Sequence, residues 1–172
     1  MAAERILVLG CSGSGKSTLT CALARATALP IVHLDRHYWR AGWKEPSKTE
    51  WKARIATLIA EPRWIMDGTY HGTLLLRLQR TDAVVFLDMP TALCMARVLR
   101  RIMMYHGRVR GEDLPEGCIE RFDLPFLRYV VRFRRDTRPK VLAALSGFPG
   151  DIVTLGSRRD AHSFIAKFRN PS

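Results

Sequence analysis

One stretch near the start of the chain constrains the fold more than any other. Arg5-Ile-Leu-Val-Leu9 reads as a short buried strand, and Ser17 to Ala28 reads as a helix with Leu19, Ala22, Leu23 and Ala26 on one face. Between them stands Gly10-Cys11-Ser12-Gly13-Ser14-Gly15-Lys16-Ser17, the spacing G-x-x-x-x-G-K-[ST]. Glycines in such a loop permit φ > 0, so successive backbone N–H groups turn inward as an anion nest. The helix that follows points its positive end at the same place. A lysine there bridges the β and γ oxygens of a nucleotide, and a hydroxyl at the next position ligates Mg²⁺. Gly10 through Thr18 are therefore the expected phosphate cradle, with Lys16 neutralising charge and Ser17 on the metal.

The rest of the chain alternates short apolar strands with helical patterns, the signature of an α/β fold. Ile31-Val-His-Leu34 reads as a second strand ending at Asp35, followed by a Trp-rich connection from Tyr38 to Trp43. Ser47-x-x-Glu50 is a capping box opening a helix with Trp51, Ile55, Leu58 and Ile59 on one face. Trp64-Ile-Met66 is a third strand closed by Asp67-Gly68, and Ala83 to Leu87 a fourth ending at Asp88. A helix from Thr91 carries Leu93, Ala96, Leu99 and Met103 as its expected apolar face. The segment from Tyr105 to Gly117 lacks periodicity and reads as a mobile loop. Pro125 and Pro139 are expected to break the helical stretch after it. Asp151 to Leu155 is a last strand, and Ser157-x-x-Asp160 caps a final helix burying Phe164, Ile165 and Phe168. No linker or repeat divides residues 1–172, so a single five-stranded domain is expected.

Hydrophobic residues at 47% and charged residues at 26% exclude a disordered or fibrous chain. No apolar run approaches a membrane span, and the first residues lack a signal-peptide layout, which predicts a soluble cytoplasmic protein. Cys11, Cys21, Cys94 and Cys118 form no C-x-x-C pair and read as reduced, buried thiols. The net charge is +12, and 22 of the 28 basic residues are arginine. The guanidinium fork pairs bidentately with phosphate, so the expected partner is a nucleotide or a nucleic acid.

Three strands end in an aspartate: Asp35, Asp67 and Asp88. Ligands of open α/β sheets bind outside the carboxyl ends of the strands. One carboxylate there can orient hydrated Mg²⁺ while another accepts a proton from an attacking hydroxyl. His33-x-Asp35-x-His37 has no distant partner at zinc spacing. Residues 97 to 138 hold 11 of the arginines and no lysine. Arg97 and Arg101 share a helix face, and Arg108, Arg110 and Arg121 lie in or just after the loop. A closing loop that carries arginines inward supplies phosphoryl-transfer donors and excludes water. Arg128, Arg132, Arg134 and Arg135 read as a solvated face. Phe122, Phe126, Tyr129 and Phe133 have the spacing of a buried helix stripe, with base stacking as the alternative.

These motifs together resemble the adenylate-kinase-related branch of P-loop kinases, in particular the group known as DNA topology modulation proteins. The resemblance runs through Gly10 to Ser17, His33-Leu-Asp35-x-x-Tyr38-Trp39, Gly42-Trp43, Trp64-Ile-Met-Asp67-Gly68-x-Tyr70, Asp82-x-Val-Val-Phe-Leu-Asp88-x-Pro90, Gly117-Cys118-x-Glu120-Arg121-Phe122 and Arg138-Pro139. It implies a three-layer fold with strand order 2-3-1-4-5, a lid at about 105–118, and ATP with Mg²⁺. It further implies that Arg97 covers the adenine, that Ser157 and Arg158 line the base, and that Arg101, Arg110 and Arg121 stabilise the transferring phosphoryl. Asp67 would orient the waters of the metal bound by Ser17, and Asp35 would engage the acceptor hydroxyl. Where adenylate kinases read D-G-x-P-R, this chain reads Asp67-Gly-Thr-Tyr-His71, without the arginine that grips a monophosphate. The Trp-rich segment looks more like the acceptor region of a small-metabolite kinase. Two other readings stay open: a nucleotide-dependent DNA-binding regulator, and an NTPase without a dedicated acceptor.

Overall fold

Strand β1 (Arg5–Gly10) has β3 (Trp64–Asp67) on one side and β4 (Ala83–Leu87) on the other, with β2 (Ile31–His33) and β5 (Asp151–Leu155) outermost. Every pairing is parallel, and Leu7 lies opposite both Met66 and Val84. The order β2-β3-β1-β4-β5 is the one expected. These coordinates are a computed structural model, which describes residues 3–109, 111 and 114–169.

A parallel sheet is covered on both faces, which is why its central strands β1, β3 and β4 are buried along almost their whole length. Alternate residues of β1 enter opposite cores: Ile6 and Val8 one, Leu7 and Leu9 the other. The first core is closed by α1 (Lys16–Thr27), α5 (Thr91–Tyr105), α6 (Leu124–Arg132) and α8 (Arg158–Arg169), through Leu19, Leu23, Val98 and Val130. The second is closed by α3 (Lys48–Ala60), α4 (Leu74–Leu78) and α7 (Arg138–Leu145), through Trp51, Ile55, Leu74 and Val141. The result is three layers. Both capping signals form: Ser47 Oγ accepts from the Glu50 amide, and Ser157 Oγ from that of Asp160.

The second strand is shorter than expected. Its partner β3 ends opposite His33, so the ladder has no further rung, and Leu34–Tyr38 coils into a short helix, α2. In α5 the buried residues are Cys94, Val98 and Ile102, while Leu99 and Met103 are exposed. Two apolar stripes with the same period compete on that helix, and the one offset from the expected face meets the sheet. Pro139 does not break the helical stretch. A π-helical segment, Phe133–Thr137, runs directly into α7, whose first turn accommodates the proline. The aromatic stripe is only partly buried: Phe133 is in the core, Phe122 and Tyr129 are exposed, and Val130 takes the central place. Phe164 and Ile165 pack against the first core, while the side chain of Phe168 lies outside the described residues.

The chain after α5 folds back over the turn that precedes α3. Gly42 N donates to Gly117 O at 3.0 Å, and Trp43 Nε1 donates to Ile119 O at 2.8 Å. A Cβ on Gly117 would meet that of Ala41 at 2.9 Å, so this contact needs glycine. Among the described residues no helix is long and apolar enough to cross a membrane.

Candidate active site

The phosphate loop leaves the central strand at its carboxyl end, where the sheet order opens a crevice. Gly13 has φ 78°, and a Cβ there would run into the Cys94 carbonyl of α5. The loop is thus pressed against the helix by a contact that admits only glycine. Ser14 N closes the turn onto Cys11 O at 3.1 Å, and Gly15, at φ 101°, starts α1. Lys16 is half-buried and its Nζ donates to Cys11 O at 3.0 Å, which holds the ammonium over the loop. Cys11 Sγ donates to Val130 O at 3.9 Å. The neighbouring Cys94 and then burial push the Cys11 thiol up, whereas Cys11 and then the Lys16 and Arg97 charges lower Cys94 to about 7.

Arg97 hydrogen-bonds the loop carbonyls of Gly13 and Ser14 at 3.1 and 2.9 Å. It also lines a cavity of about 310 Å³ with Gly15, Thr18, Arg158, His162 and Ile165. The apolar and cationic walls of this cavity, at the start of α1, suit a nucleotide base with its sugar. Ser157 sits beside it as the cap of α8.

Asp67, on the strand next to β1, is buried. Its Oδ1 lies 3.0 Å from His33 Nδ1, and its Oδ2 has no hydrogen-bond partner among the described residues. Two residues on, Thr69 Oγ accepts from Gly10 N at 3.1 Å and donates to Gly10 O at 2.7 Å, clasping the root of the phosphate loop. Tyr70 OH donates to Asp35 Oδ1 at 2.6 Å. Asp35 is half-buried in α2, two strands from the phosphate loop on the Asp67 side. The Tyr70 ring packs with Tyr38 and Trp51 at centroid distances of 4.6 and 5.2 Å.

The third strand-end carboxylate is occupied differently. Asp88 accepts a bidentate fork from Arg138 at 2.7 to 2.9 Å, with Arg134 at 3.8 Å. Arg101 pairs with the buried Glu120 at 3.1 Å, and its guanidinium lies 5.4 Å from the centroid of the Phe126 ring. Arg121 is exposed, 3.7 Å from Asp123. Arg110 lies outside the described residues. The structure therefore gathers the loop, Lys16, Ser17, Asp67, Asp35 and Arg97 at one sheet edge, and engages Arg101 and Arg121 with acids beside it.

No short-range pattern in the sequence assigns a role to Thr69, Tyr70 or Arg77. A weak signal existed for Arg77, a lone charge in the run Leu74-Leu-Leu-Arg-Leu78. For the others the signal is their place just after Asp67-Gly68.

The donor set fits a hard divalent ion. The Ser17 hydroxyl and the open oxygen of Asp67 are the oxygen ligands that Mg²⁺ prefers. Among the described residues no group of three or more His, Cys, Asp or Glu is placed to hold a metal alone.

No protein-family model matches the chain, and no curated protein matches it by sequence. Solved structures do. A shikimate kinase from Bacteroides thetaiotaomicron is 18% identical over 98% of this chain and 97% of that one, with a TM-score of 0.55. A shikimate kinase from Acinetobacter baumannii in complex with shikimate is 14% identical over 96% and 90%, with a TM-score of 0.56. Deoxyadenosine kinase from M. mycoides with bound dATP is 12% identical over 96% and 100%, with a TM-score of 0.52. The chain thus has the α/β fold of P-loop kinases.

Proposed function

We propose that this chain is a phosphotransferase that moves the γ-phosphoryl of ATP·Mg²⁺ to a hydroxyl of a small acceptor. The observation that carries this reading is the placement of Asp35. A half-buried carboxylate oriented by the Tyr70 hydroxyl stands at the same sheet edge as the phosphate loop, on the far side of Asp67. A nucleotide-binding switch needs the loop and the metal carboxylate; it does not need this second carboxylate. Structural neighbours named for shikimate and for deoxyadenosine support a small acceptor.

In this reading Asp35 accepts the acceptor's proton as the new O–P bond forms and the bond from the γ-phosphorus to the ADP oxygen breaks. Lys16 and the loop amides donate to the phosphate oxygens, and Ser17 with Asp67 would hold the magnesium. When bound, that ion neutralises charge on the β and γ oxygens. Arg97, Thr18, Ser157 and Arg158 line the base and sugar. Arg101, Arg110 and Arg121 are the cations proposed to turn toward the transferring group when 105–118 closes as a lid. Residues 1–172 serve as one catalytic domain.

A screen of nucleosides, nucleoside monophosphates and small metabolites with ATP·Mg²⁺ tests this. The expected result is ADP formation stimulated by one acceptor class. Equal ADP formation in every well would instead make the chain an NTPase. Duplex-DNA binding that survives physiological salt, with no transfer, would favour a regulator.

A further inference from the structure

Arg77 on α4 is fully buried, and among the described residues no carboxylate pairs with it. Its guanidinium donates instead to three successive backbone carbonyls: Gly68 at 2.9 Å, Thr69, and Tyr70 at 3.1 Å. Burial pulls its pKa down to about 9, which leaves it cationic at neutral pH. A buried cation without a counter-ion is expensive for the fold. What the charge achieves lies in the strap it grips. Three consecutive carbonyls can face one group only if the backbone curls around it. Residues 68–70 do so with Gly68 at φ 128° and Tyr70 at φ 30°, the latter a conformation that side chains rarely adopt.

The residues along this segment act on different parts of the site. Asp67 precedes it with its open carboxylate oxygen, Thr69 clasps Gly10, and Tyr70 holds Asp35. We propose that Arg77 is the positioning residue of the site: its guanidinium curls the 68–70 strap so that the phosphate loop and the acceptor carboxylate are held in one register. The catalytic consequence rests on the phosphotransfer reading, whereas the structural one rests on these hydrogen bonds alone.

The test compares wild type, Arg77→Lys, Arg77→Met, Tyr70→Phe and the Arg77→Lys/Tyr70→Phe double variant. Lysine keeps the charge but concentrates its donors on one nitrogen, so it cannot span the carbonyls that Arg77 reaches from two. In Arg77→Lys, residue-level amide exchange should quicken at least about tenfold at Gly10, whose N–H bonds Thr69, with β5 unchanged. ADP formation from ATP·Mg²⁺ with pooled nucleosides and polyols should show kcat down at least about tenfold, with the KM for ATP·Mg²⁺ changed less than about threefold. Adding Tyr70→Phe to Arg77→Lys should cost no more, because both act through Asp35. The proposal is overturned by wild-type Gly10 exchange in Arg77→Lys. It is equally overturned by faster exchange throughout the molecule with additive kinetic effects, which would mark a purely structural arginine. If Arg77→Met does not fold, Arg77→Lys carries the comparison. A wild type that forms no ADP with any acceptor defeats the phosphotransfer reading, and the Gly10 exchange still decides the clamp.

Discussion

The Tyr70 hydroxyl donates to Asp35 Oδ1 at 2.6 Å, joining the loop after β3 to the helix after β2. Burial, and next the Asp35 charge, raise the Tyr70 phenol far above its ordinary value. It therefore remains a proton donor at any working pH. Asp67, one strand nearer the phosphate loop, meets His33 instead and keeps an open oxygen.

That difference predicts separable effects. Asp35→Asn should abolish transfer to the acceptor and nearly preserve ATP·Mg²⁺ affinity, because the task proposed for its carboxylate is to take the acceptor proton. Asp67→Asn should weaken the magnesium dependence of ATP binding. Calorimetric titration of both variants with ATP, with and without Mg²⁺, separates the roles. If Asp35→Asn alone loses the magnesium dependence, the two assignments are exchanged.

Lys16 lies over the loop and carries no part of either core. Lys16→Ala should keep the wild-type melting temperature and lower turnover at least about a hundredfold, because a preorganised cation at the transferring phosphate is lost. Turnover within a few-fold of wild type would remove Lys16 from the mechanism.

The contact between the 40–43 turn and the chain after α5 should respond to nucleotide. Trp43 Nε1 donates to Ile119 O, and Gly42 N to Gly117 O. A non-hydrolysable ATP analogue should slow amide exchange across 105–118, since arginines there gain an anion. Trp43→Phe, which deletes one of these donors, should quicken that exchange in the free protein. Identical exchange with and without the analogue would defeat the lid.

Asp82 links the start of β1 to β4. It accepts the Arg5 fork at 2.7 Å and the amides of Glu4 and Arg5. The Arg5 hydrogen bond foremost holds its pKa below the ordinary 3.8. A carboxyl depressed by folding stabilises the protein above its unfolded value and loses that contribution as the pH falls through the folded one. Asp82→Asn should therefore lower the melting temperature at neutral pH, with the gap from wild type closing as the pH falls below the ordinary carboxylate range and through the depressed folded value. A gap that stays constant down to acid would show that the pair contributes through packing alone.

Local patterns made much of this protein legible. The strand, loop and helix from Arg5 to Thr27 and the capping box at Ser47 depend on neighbours a few residues apart, so their chemistry is visible in a short window. The three acidic strand ends were equally plain. Their roles were not, because they depend on which strand lies beside which. Asp88 meets Arg138, 50 residues on, and Asp67 meets His33, 34 residues back.

The face of α5 shows the same limit. Leu99 and Val98 belong to stripes of one period, and only packing against the sheet chose Val98. The Arg77 clamp needed more still: a strap curled against a helix, with Thr69 reaching Gly10 across 59 residues and Tyr70 reaching Asp35 across 35. The sequence by itself determined the glycine-rich loop between β1 and α1 and that a parallel sheet presents it. Tertiary structure decided which carboxylate is open, which is neutralised and what aligns them. Those outcomes arise from distance and burial between segments far apart in the chain, which residue order alone does not encode locally.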